Sequence, residues 1–259
     1  MGVSYVVSPP SCSRGIDMRR KFVAGNWKMN GSLADNQTLL TQLAIGLKDS
    51  QSENLEVAVF ASAPYLYQCK SLLAASSINW GGQDMSQYSA GAFTGEVSAQ
   101  MLQEFGCKYV VIGHSERREL FAEGNAQVAA KFAQAIANNI VPILCVGESL
   151  QQREAGIAAD VISEQIQAVL DVVGVQGFSK SVIAYEPVWA IGTGKTASPE
   201  QAQEMHATIR MQLAKENENI AEGLQILYGG SVKPGNAVDI FAKPDVDGAL
   251  VGGCLFIHI

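Results

Sequence analysis

The chain has 259 residues, of which 47% are hydrophobic and 17% charged, and its formal net charge is −7. This length and apolar content suit one large α/β barrel or two smaller domains. The acidic balance makes nucleic acid a poor partner because phosphate-backbone binding needs a basic face, and without roughly 20 uninterrupted apolar residues we expect no membrane partner.

The N-terminal segment differs in character from the rest of the chain. Residues 1–17 lack the charged start and apolar core of a signal peptide. We interpret them as a leader or expression scar ahead of a natural start at Met18; a Ser-rich organelle-targeting remnant is the alternative. Residues 18–259 then form the catalytic domain.

From Met18 onward, short β-branched or apolar runs recur, and most of them precede a helical pattern. This alternation is typical of parallel βαβ units. Eight runs fit a closed (β/α)8 barrel better than an open doubly wound sheet, although open sheets with eight strands exist. The predicted strands are Lys21–Asn26, Glu56–Ala61, Ile78–Gln83, Tyr109–Gly113, Val141–Val146, Val182–Glu186, Gln225–Gly229 and Gly248–Val251.

The predicted helices have recognisable starts. Ser32 can cap the first helix, Pro64 suits a first helical turn, and Ser198 followed by Pro199 resembles an N-cap with proline at the next position. No Pro- or Ser-rich linker divides the pattern. We therefore predict a single barrel domain.

The C-terminal tail breaks the repeating pattern. After the eighth predicted strand the chain reads Gly252-Gly253-Cys254-Leu255-Phe256-Ile257-His258-Ile259. We therefore expect the barrel to lack its last helix and to have a truncated C-terminus. We also expect the leader or another chain to cover the apolar groove that the helix would leave.

The five cysteines are Cys12, Cys69, Cys107, Cys145 and Cys254. They are odd in number and scattered, without a C-x-x-C pair, which favours reduced thiols in the cytoplasm over a disulfide framework. The same spacing argues against a zinc site, and we expect no metal.

Polar side chains follow several predicted strands where each strand ends. Asn26 and Lys28 follow the first strand, His114 follows the fourth, and Glu186 ends the sixth. In a barrel these strand ends meet at one mouth, where active sites lie. Lys28 can hold an anion and polarise a carbonyl, His114 can transfer protons, and Glu186 is a carboxylate that a strand, rather than a loose loop, places at the mouth. The alternatives are a solvated lysine, a structural histidine and a structural salt bridge.

Two glycine-rich turns and one small-residue loop complete this mouth. Tyr228-Gly229-Gly230-Ser231 and Val251-Gly252-Gly253 follow strands seven and eight, where backbone N–H groups of barrels commonly bind phosphate. Plain tight turns are the alternative. The segment 187–197 joins rigid ends to a small-residue centre, which is the composition of a hinged lid.

Six motifs in chain order resemble the triosephosphate isomerase family: GNWKMNG, GAFTGE, VIGHSERR, AYEPVWAIGTGK, YGGSV and GALVGG. The resemblance runs from about Lys21 to Gly253. It implies a TIM barrel without cofactor that interconverts dihydroxyacetone phosphate and D-glyceraldehyde 3-phosphate through an enediolate. In this reading Glu186 is the base, His114 and Lys28 stabilise the enediolate, and Asn26 positions the substrate.

The resemblance also implies a phosphate site and a dimer. Gly192, Ser231, Gly252 and Gly253 would bind the phosphate, the lid would close over the site, and Glu116 would brace it. The loop around Thr94 would reach the active site of a second subunit, so we expect a homodimer.

Two alternatives stay open at this point. The first is a catalytically impaired or dead barrel, because Cys254-Leu255-Phe256 replaces the family's turn into a final helix. The second is another phosphate-binding barrel, such as a sugar-phosphate aldolase or a phosphoribosyl isomerase. A Schiff-base aldolase would want a lysine at the end of strand six, where this chain has none.

Overall fold

The computed structural model describes residues 19–48, 54–191 and 196–252. The predictions about the leader and about the missing last helix therefore fall outside the described residues. So do those for Gly192 and Gly253, two of the residues expected to bind phosphate.

The described chain forms a closed barrel of eight parallel strands in sequence order, with the last strand pairing to the first. The strands are β1 (Lys21–Asn26), β2 (Leu55–Ala61), β3 (Asn79–Gly82), β4 (Tyr109–Ile112), β5 (Val141–Val146), β6 (Val182–Tyr185), β7 (Gln225–Tyr228) and β8 (Gly248–Gly252). The predicted TIM barrel is confirmed, and each predicted strand is present with ends that differ by at most a residue.

The strands do not pair to the same extent around the barrel. β8 pairs with β1 from Phe22 opposite Gly248 to Asn26 opposite Gly252. In the described residues, β7 pairs with β8 at Tyr228 opposite Ala249 alone. The barrel is therefore closed at one side by an extended ladder and at the other by a short seam.

Helices connect the strands on the outside of the barrel. They are α1 (Leu33–Gly46), α2 (Leu66–Leu73), α3 (Ala99–Glu104), α4 (Ser115–Leu120), α5 (Asn125–Ala137), α6 (Leu150–Glu154), α7 (Ala158–Val173), α8 (Pro199–Glu216), α9 (Glu218–Gly223) and α10 (Pro234–Phe241). Short 3₁₀ segments span Ala63–Tyr65, Val175–Lys180 and Val188–Ala190. None of the helices in the described ranges has the length and apolar character needed to cross a membrane.

The predicted helix starts are confirmed. The Ser32 hydroxyl accepts a hydrogen bond from the Asp35 N–H, and Ser198 forms a capping box with Gln201 at the start of α8. Pro64 lies in the first turn of the 3₁₀ segment that precedes α2. Each cap satisfies backbone donors that the helix itself leaves unpaired.

Two apolar layers hold the barrel together. The first lies between strands and helices; the second fills the barrel interior with alternate strand residues such as Phe22, Ala24, Phe60 and Tyr109. The Phe22 and Tyr109 rings lie 5.0 Å apart, and those of Phe60 and Tyr109 lie 6.3 Å apart. The interior of the described barrel is therefore a packed core rather than a channel.

His206 is a fully buried histidine on α8, packed against the strands that lead to the mouth. Its ring stands edge-on to Tyr185 at 5.8 Å and lies 6.5 Å from Tyr228. Its Nδ1 is 3.1 Å from the Asp245 carbonyl oxygen. Burial lowers the pKa of His206 to about 4, so the ring is neutral near pH 7.

We expect burial of neutral His206 to make the free energy of unfolding decrease as the pH is lowered. The unfolded pKa is near 6.5, so between pH 6.5 and about 4 the unfolded chain binds a proton that the native chain does not. The contribution of neutral His206 to the free energy of unfolding is therefore fully present above pH 6.5. It falls by at most about 1.4 kcal/mol per pH unit as the pH is lowered, and levels off below about pH 4. Urea unfolding of the wild type and His206→Asn at pH 7.5, 6 and 5 tests this. The stability difference between the two proteins should shrink as the pH falls; parallel pH profiles would contradict the expectation.

Candidate active site

The candidate site lies at the carboxyl-terminal mouth of the barrel. A cavity of about 240 Å³ there brings together the predicted side chains of the first, fourth and sixth strands with the two glycine-rich turns. Its lining includes Asn26, Lys28, His114, Glu186, Ile191, Gly229, Gly230, Ser231, Val232, Lys233, Leu250, Val251 and Gly252. All predicted site residues within the described ranges therefore converge.

Lys28 has a backbone conformation that needs outside support. Its φ is +53°, in the left-handed region that non-glycine residues rarely adopt. The Lys28 carbonyl oxygen accepts hydrogen bonds from Gln83 Nε2 at 2.7 Å and Ser62 Oγ at 3.1 Å, and its N–H donates to Asn26 Oδ1 at 2.9 Å. These contacts hold the strained residue in place. Its ammonium group forms an ion pair with Glu116, which matches the bracing role expected of that carboxylate.

Gly252 makes room for the Lys28 side chain. The residue ends β8 opposite Asn26, and a Cβ added at Gly252 would lie 2.9 Å from Lys28 Cε. A side chain at this position would push the lysine out of the cavity. Glycine at this position therefore leaves the space that the Lys28 side chain occupies.

His114 is the N-cap residue of α4. Its Nδ1 accepts the Glu116 N–H at 3.2 Å, so in the neutral ring the proton lies on Nε2. Nε2 lies 3.0 Å from Glu186 Oε1, which sets a proton donor beside the carboxylate.

Glu186 follows β6 directly, so the predicted sixth strand is one residue too long. Its N–H still donates to the Val146 carbonyl at 2.8 Å, and its Oε2 accepts the Ser115 N–H at 2.8 Å. A Cβ at Gly229 would lie 2.8 Å from Glu186 Cγ, so this glycine leaves space for the carboxylate. Burial and the nearby Glu186 charge raise the pKa of the Cys145 thiol, which keeps Cys145 protonated.

The first residues of the predicted lid are anchored to a buried carboxylate. Glu148 Oε1 accepts hydrogen bonds from Trp189 Nε1 at 2.8 Å, Tyr185 OH at 3.1 Å and Arg153 NH1 at 3.1 Å. Residues 192–195, the centre of the lid, lie outside the described residues. The anchored end of the predicted lid therefore lies beside Glu186.

The turn after β7 offers backbone donors to the cavity. In the described part of the chain, the N–H groups of Gly230, Ser231 and Val232 have no hydrogen-bond acceptor. The Ser231 hydroxyl donates to the Ala190 carbonyl at 2.9 Å. Successive N–H groups of this kind form a site for an anion.

Two polar residues that support the site were not among the predicted ones. Gln83 was assigned to the end of a strand and Glu148 received no role. Gln83 follows β3 directly, and Glu148 follows β5 by two residues. A polar side chain close to a strand end could therefore have marked both as site residues. Their partners lie on distant segments, which the sequence does not reveal.

Comparison with known proteins identifies the family. The family model described as triosephosphate isomerase matches residues 21–256. The chain belongs to the triosephosphate isomerase family. Within the described residues, no group of three or more His, Cys, Asp or Glu side chains could hold a metal ion.

The relatives cover almost the whole chain. Proteins named triosephosphate isomerase from Thiobacillus denitrificans and Nitrosomonas eutropha are 55% and 54% identical, over 91% and 92% of this chain and 93% and 94% of their own length. The one from Dechloromonas aromatica is 52% identical over 93% of this chain and 95% of its own length. These similarities support an active member of the triosephosphate isomerase family and give the impaired alternative no support.

We expect Gln83→Ala to lower isomerase activity without altering any group of the proposed chemistry. The change removes the donor to the carbonyls of Lys28 and Phe60, so the strained lysine loses a restraint. Loss of a hydrogen bond of about 1 kcal/mol per partner predicts a fall in kcat/KM of roughly 5- to 30-fold.

The matched control for this test is Gln68→Ala. It also removes a glutamine donor to a backbone carbonyl, that of Leu33, but away from the cavity. Steady-state kinetics of both variants should separate them. Equal activity of the two would show that the Gln83 contact does not support Lys28.

Proposed function

We propose that this chain interconverts dihydroxyacetone phosphate and D-glyceraldehyde 3-phosphate by moving a proton between adjacent carbons. Membership of the triosephosphate isomerase family supports an isomerase. The observation that carries the chemistry is the placement of Glu186, His114 and Lys28 around one cavity, with Glu186 Oε1 and His114 Nε2 3.0 Å apart.

Glu186 is the proposed base. Its carboxylate would take a proton from the carbon beside the carbonyl and return it to the neighbouring carbon. The carboxylate is buried; its Oε2 accepts the Ser115 N–H, and its Oε1 lies 3.0 Å from His114 Nε2. A substrate between Glu186 and His114 would separate these two groups and leave the Ser115 N–H to orient the base. General base catalysis of this kind typically contributes about 10² to 10⁴-fold.

His114 and Lys28 are the proposed groups that stabilise the enediolate. The His114 Nε2–H can donate to the carbonyl oxygen as negative charge develops there, and the Lys28 ammonium compensates that charge. Asn26, whose side chain fixes the Lys28 N–H, helps to place both lysine and substrate. Each well-placed donor of this type contributes roughly 10² to 10³-fold, so base and donors are both needed.

The phosphate group would lie against the two glycine-rich turns. The unpaired N–H groups at Gly230 and Ser231, the Ser231 hydroxyl and the end of β8 at Gly252 line the same cavity. Gly192 and Gly253 are proposed to add backbone donors, as the family resemblance implies. These local N–H donors would allow a chain with a net charge of −7 to bind an anionic substrate.

We propose a homodimer formed through the loop around Thr94. An adjoining cavity of about 510 Å³ shares Lys28 and His114 with the site. Its rim carries exposed apolar side chains, with Met29 94%, Leu120 72% and Phe121 65% accessible. Apolar groups concentrated beside a cavity are typical of a protein interface.

The loop itself has the shape and surface to fill such a cavity. The Tyr88 and Phe93 rings stack at 4.0 Å with 2° between their planes, and Thr94 at the tip is exposed. A stacked aromatic pair is rigid and costs little entropy to insert into a partner. The loop of one subunit is therefore proposed to occupy the cavity beside Lys28 of the other.

We place the protein in the cytoplasm on the chemistry of its cysteines. Within the described residues Cys69, Cys107 and Cys145 are free and buried. Burial raises the pKa of both Cys69 and Cys107 to about 12, which keeps these thiols unreactive. A structure that uses free thiols as core packing suits a reducing compartment.

We expect Glu186→Asp to reduce kcat steeply, by about 10² to 10³-fold, because it keeps the charge but retracts the base from the reacting carbon. The assay is steady-state isomerisation of D-glyceraldehyde 3-phosphate. Glu164→Asp makes the same change on the exposed face of α7 and should keep wild-type activity. Wild-type kcat in Glu186→Asp would rule out Glu186 as the base.

We expect sedimentation equilibrium to give about twice the 27.6 kDa chain mass for the wild type. Thr94→Arg should dissociate the dimer, because it places a bulky cation in a cavity that Lys28 and Arg117 already line. Activity should fall with dissociation since the cavity adjoins Lys28. Val172→Arg, a change at an exposed apolar residue of α7, is the control and should stay dimeric. A monomeric wild type with full activity would contradict the proposal.

A further inference from the structure

The turn that carries the unpaired N–H groups is itself held by one side chain. Asn236, the third residue of α10, reaches back to the turn that precedes this helix. Its Oδ1 accepts the Lys233 N–H at 2.7 Å, and its Nδ2 donates to the Ser231 carbonyl at 3.1 Å. The two bonds fix both sides of Val232 to one amide group.

The orientation of this amide follows from its partners. An N–H group can only donate and a carbonyl can only accept, so Oδ1 must face Lys233 and Nδ2 must face Ser231. Both ends of the side chain are satisfied in this arrangement. A carboxylate lacks the donor and an aliphatic side chain lacks both groups, so neither could make the same pair of bonds at position 236.

As a consequence, the backbone N–H groups of this turn fall into two groups, one that is bonded to Asn236 and one that has no acceptor in the described residues. The Lys233 N–H is taken up by Asn236, whereas those of Gly230, Ser231 and Val232 have no acceptor in the described residues. These three residues line the cavity that also holds Lys28 and Glu186. With the Ser231 carbonyl tied to Asn236, the peptide that carries the Val232 N–H cannot turn over.

We propose that Asn236 is a positioning residue for the substrate's phosphate, acting by locking the Ser231–Lys233 turn so that its free N–H groups serve the anion. The inference rests on the proposed function, because it assigns the phosphate to this turn. Asn236 touches no reacting atom. It lowers the cost of ordering the turn when the phosphate binds, which is preorganisation.

The test uses two variants that separate the turn from the helix. Asn236→Ala removes both bonds. Asn236→Asp keeps an acceptor for the Lys233 N–H, and a carboxylate in the first turn suits the helix N-terminus, so this variant should fold even if the alanine variant does not. It loses only the donor to the Ser231 carbonyl.

Val238→Asp is the charge control. It adds the same negative charge to α10 at a side chain that is 76% exposed. Assays at about 0.15 M salt, where the Debye length is about 8 Å, reduce the effect of charges farther than that from the turn. This variant should keep wild-type kinetics.

Three constants are measured: KM for D-glyceraldehyde 3-phosphate, the inhibition constant of inorganic phosphate, and kcat/KM for D-glyceraldehyde, which lacks the phosphate. We expect Asn236→Ala and Asn236→Asp to raise the first two about tenfold, corresponding to one or two lost hydrogen bonds. The kcat/KM for D-glyceraldehyde should stay within twofold of the wild type.

Each other outcome overturns the proposal. Unchanged constants in both variants would show that the clamp does not affect phosphate binding. An equal loss with both substrates, without a change in phosphate inhibition, would make Asn236 a general structural residue. A wild type that isomerises neither substrate would instead refute the proposed function, so the two failures are distinct.

Discussion

The closure of a parallel sheet into a barrel is the constraint on which the site depends. Parallel pairing puts every strand's carboxyl end at the same mouth, and pairing of β8 with β1 brings Gly252 beside Asn26. The interior is packed with Phe22, Phe60 and Tyr109, and the polar groups of the candidate site lie at the mouth. The chemistry is thus confined to strand ends by the same packing that stabilises the fold.

Most of the architecture could be predicted because it follows from local signals. Alternating apolar runs gave the eight strands, and Ser32 and Ser198 marked helix starts through short-range hydrogen bonds. Lys28, His114 and Glu186 could be proposed from the sequence because each is a polar residue close to the end of an apolar strand, where the sites of barrels lie. The end of β6 was misplaced by one residue because Glu186 keeps a strand-like N–H bond to Val146 after the ladder has ended.

The supporting residues could not be predicted from the sequence in the same way. Gln83 lies 55 positions from Lys28, and their contact exists only because the barrel brings their segments together. Glu148 joins Tyr185, Arg153 and Trp189 through one oxygen, which no spacing rule indicates. Asn236 is local, yet its role depends on which N–H groups of the preceding turn remain unpaired. Which backbone groups remain unpaired depends on the three-dimensional arrangement of the chain, whereas hydrophobic periodicity is visible in the sequence.

The uneven pairing around the barrel has a consequence for how the chain folds. The ladder between β1 and β8 joins the two ends of the described chain, so its formation must overcome the largest loop-closure entropy in the molecule. The short β7–β8 seam offers few backbone bonds to resist local opening. Ser231 and its neighbours follow β7, so the turn that would hold an anion adjoins this short seam. A ligand bound there would bridge the seam and tie the last strand to the one before it, coupling occupancy of the mouth to completion of the barrel.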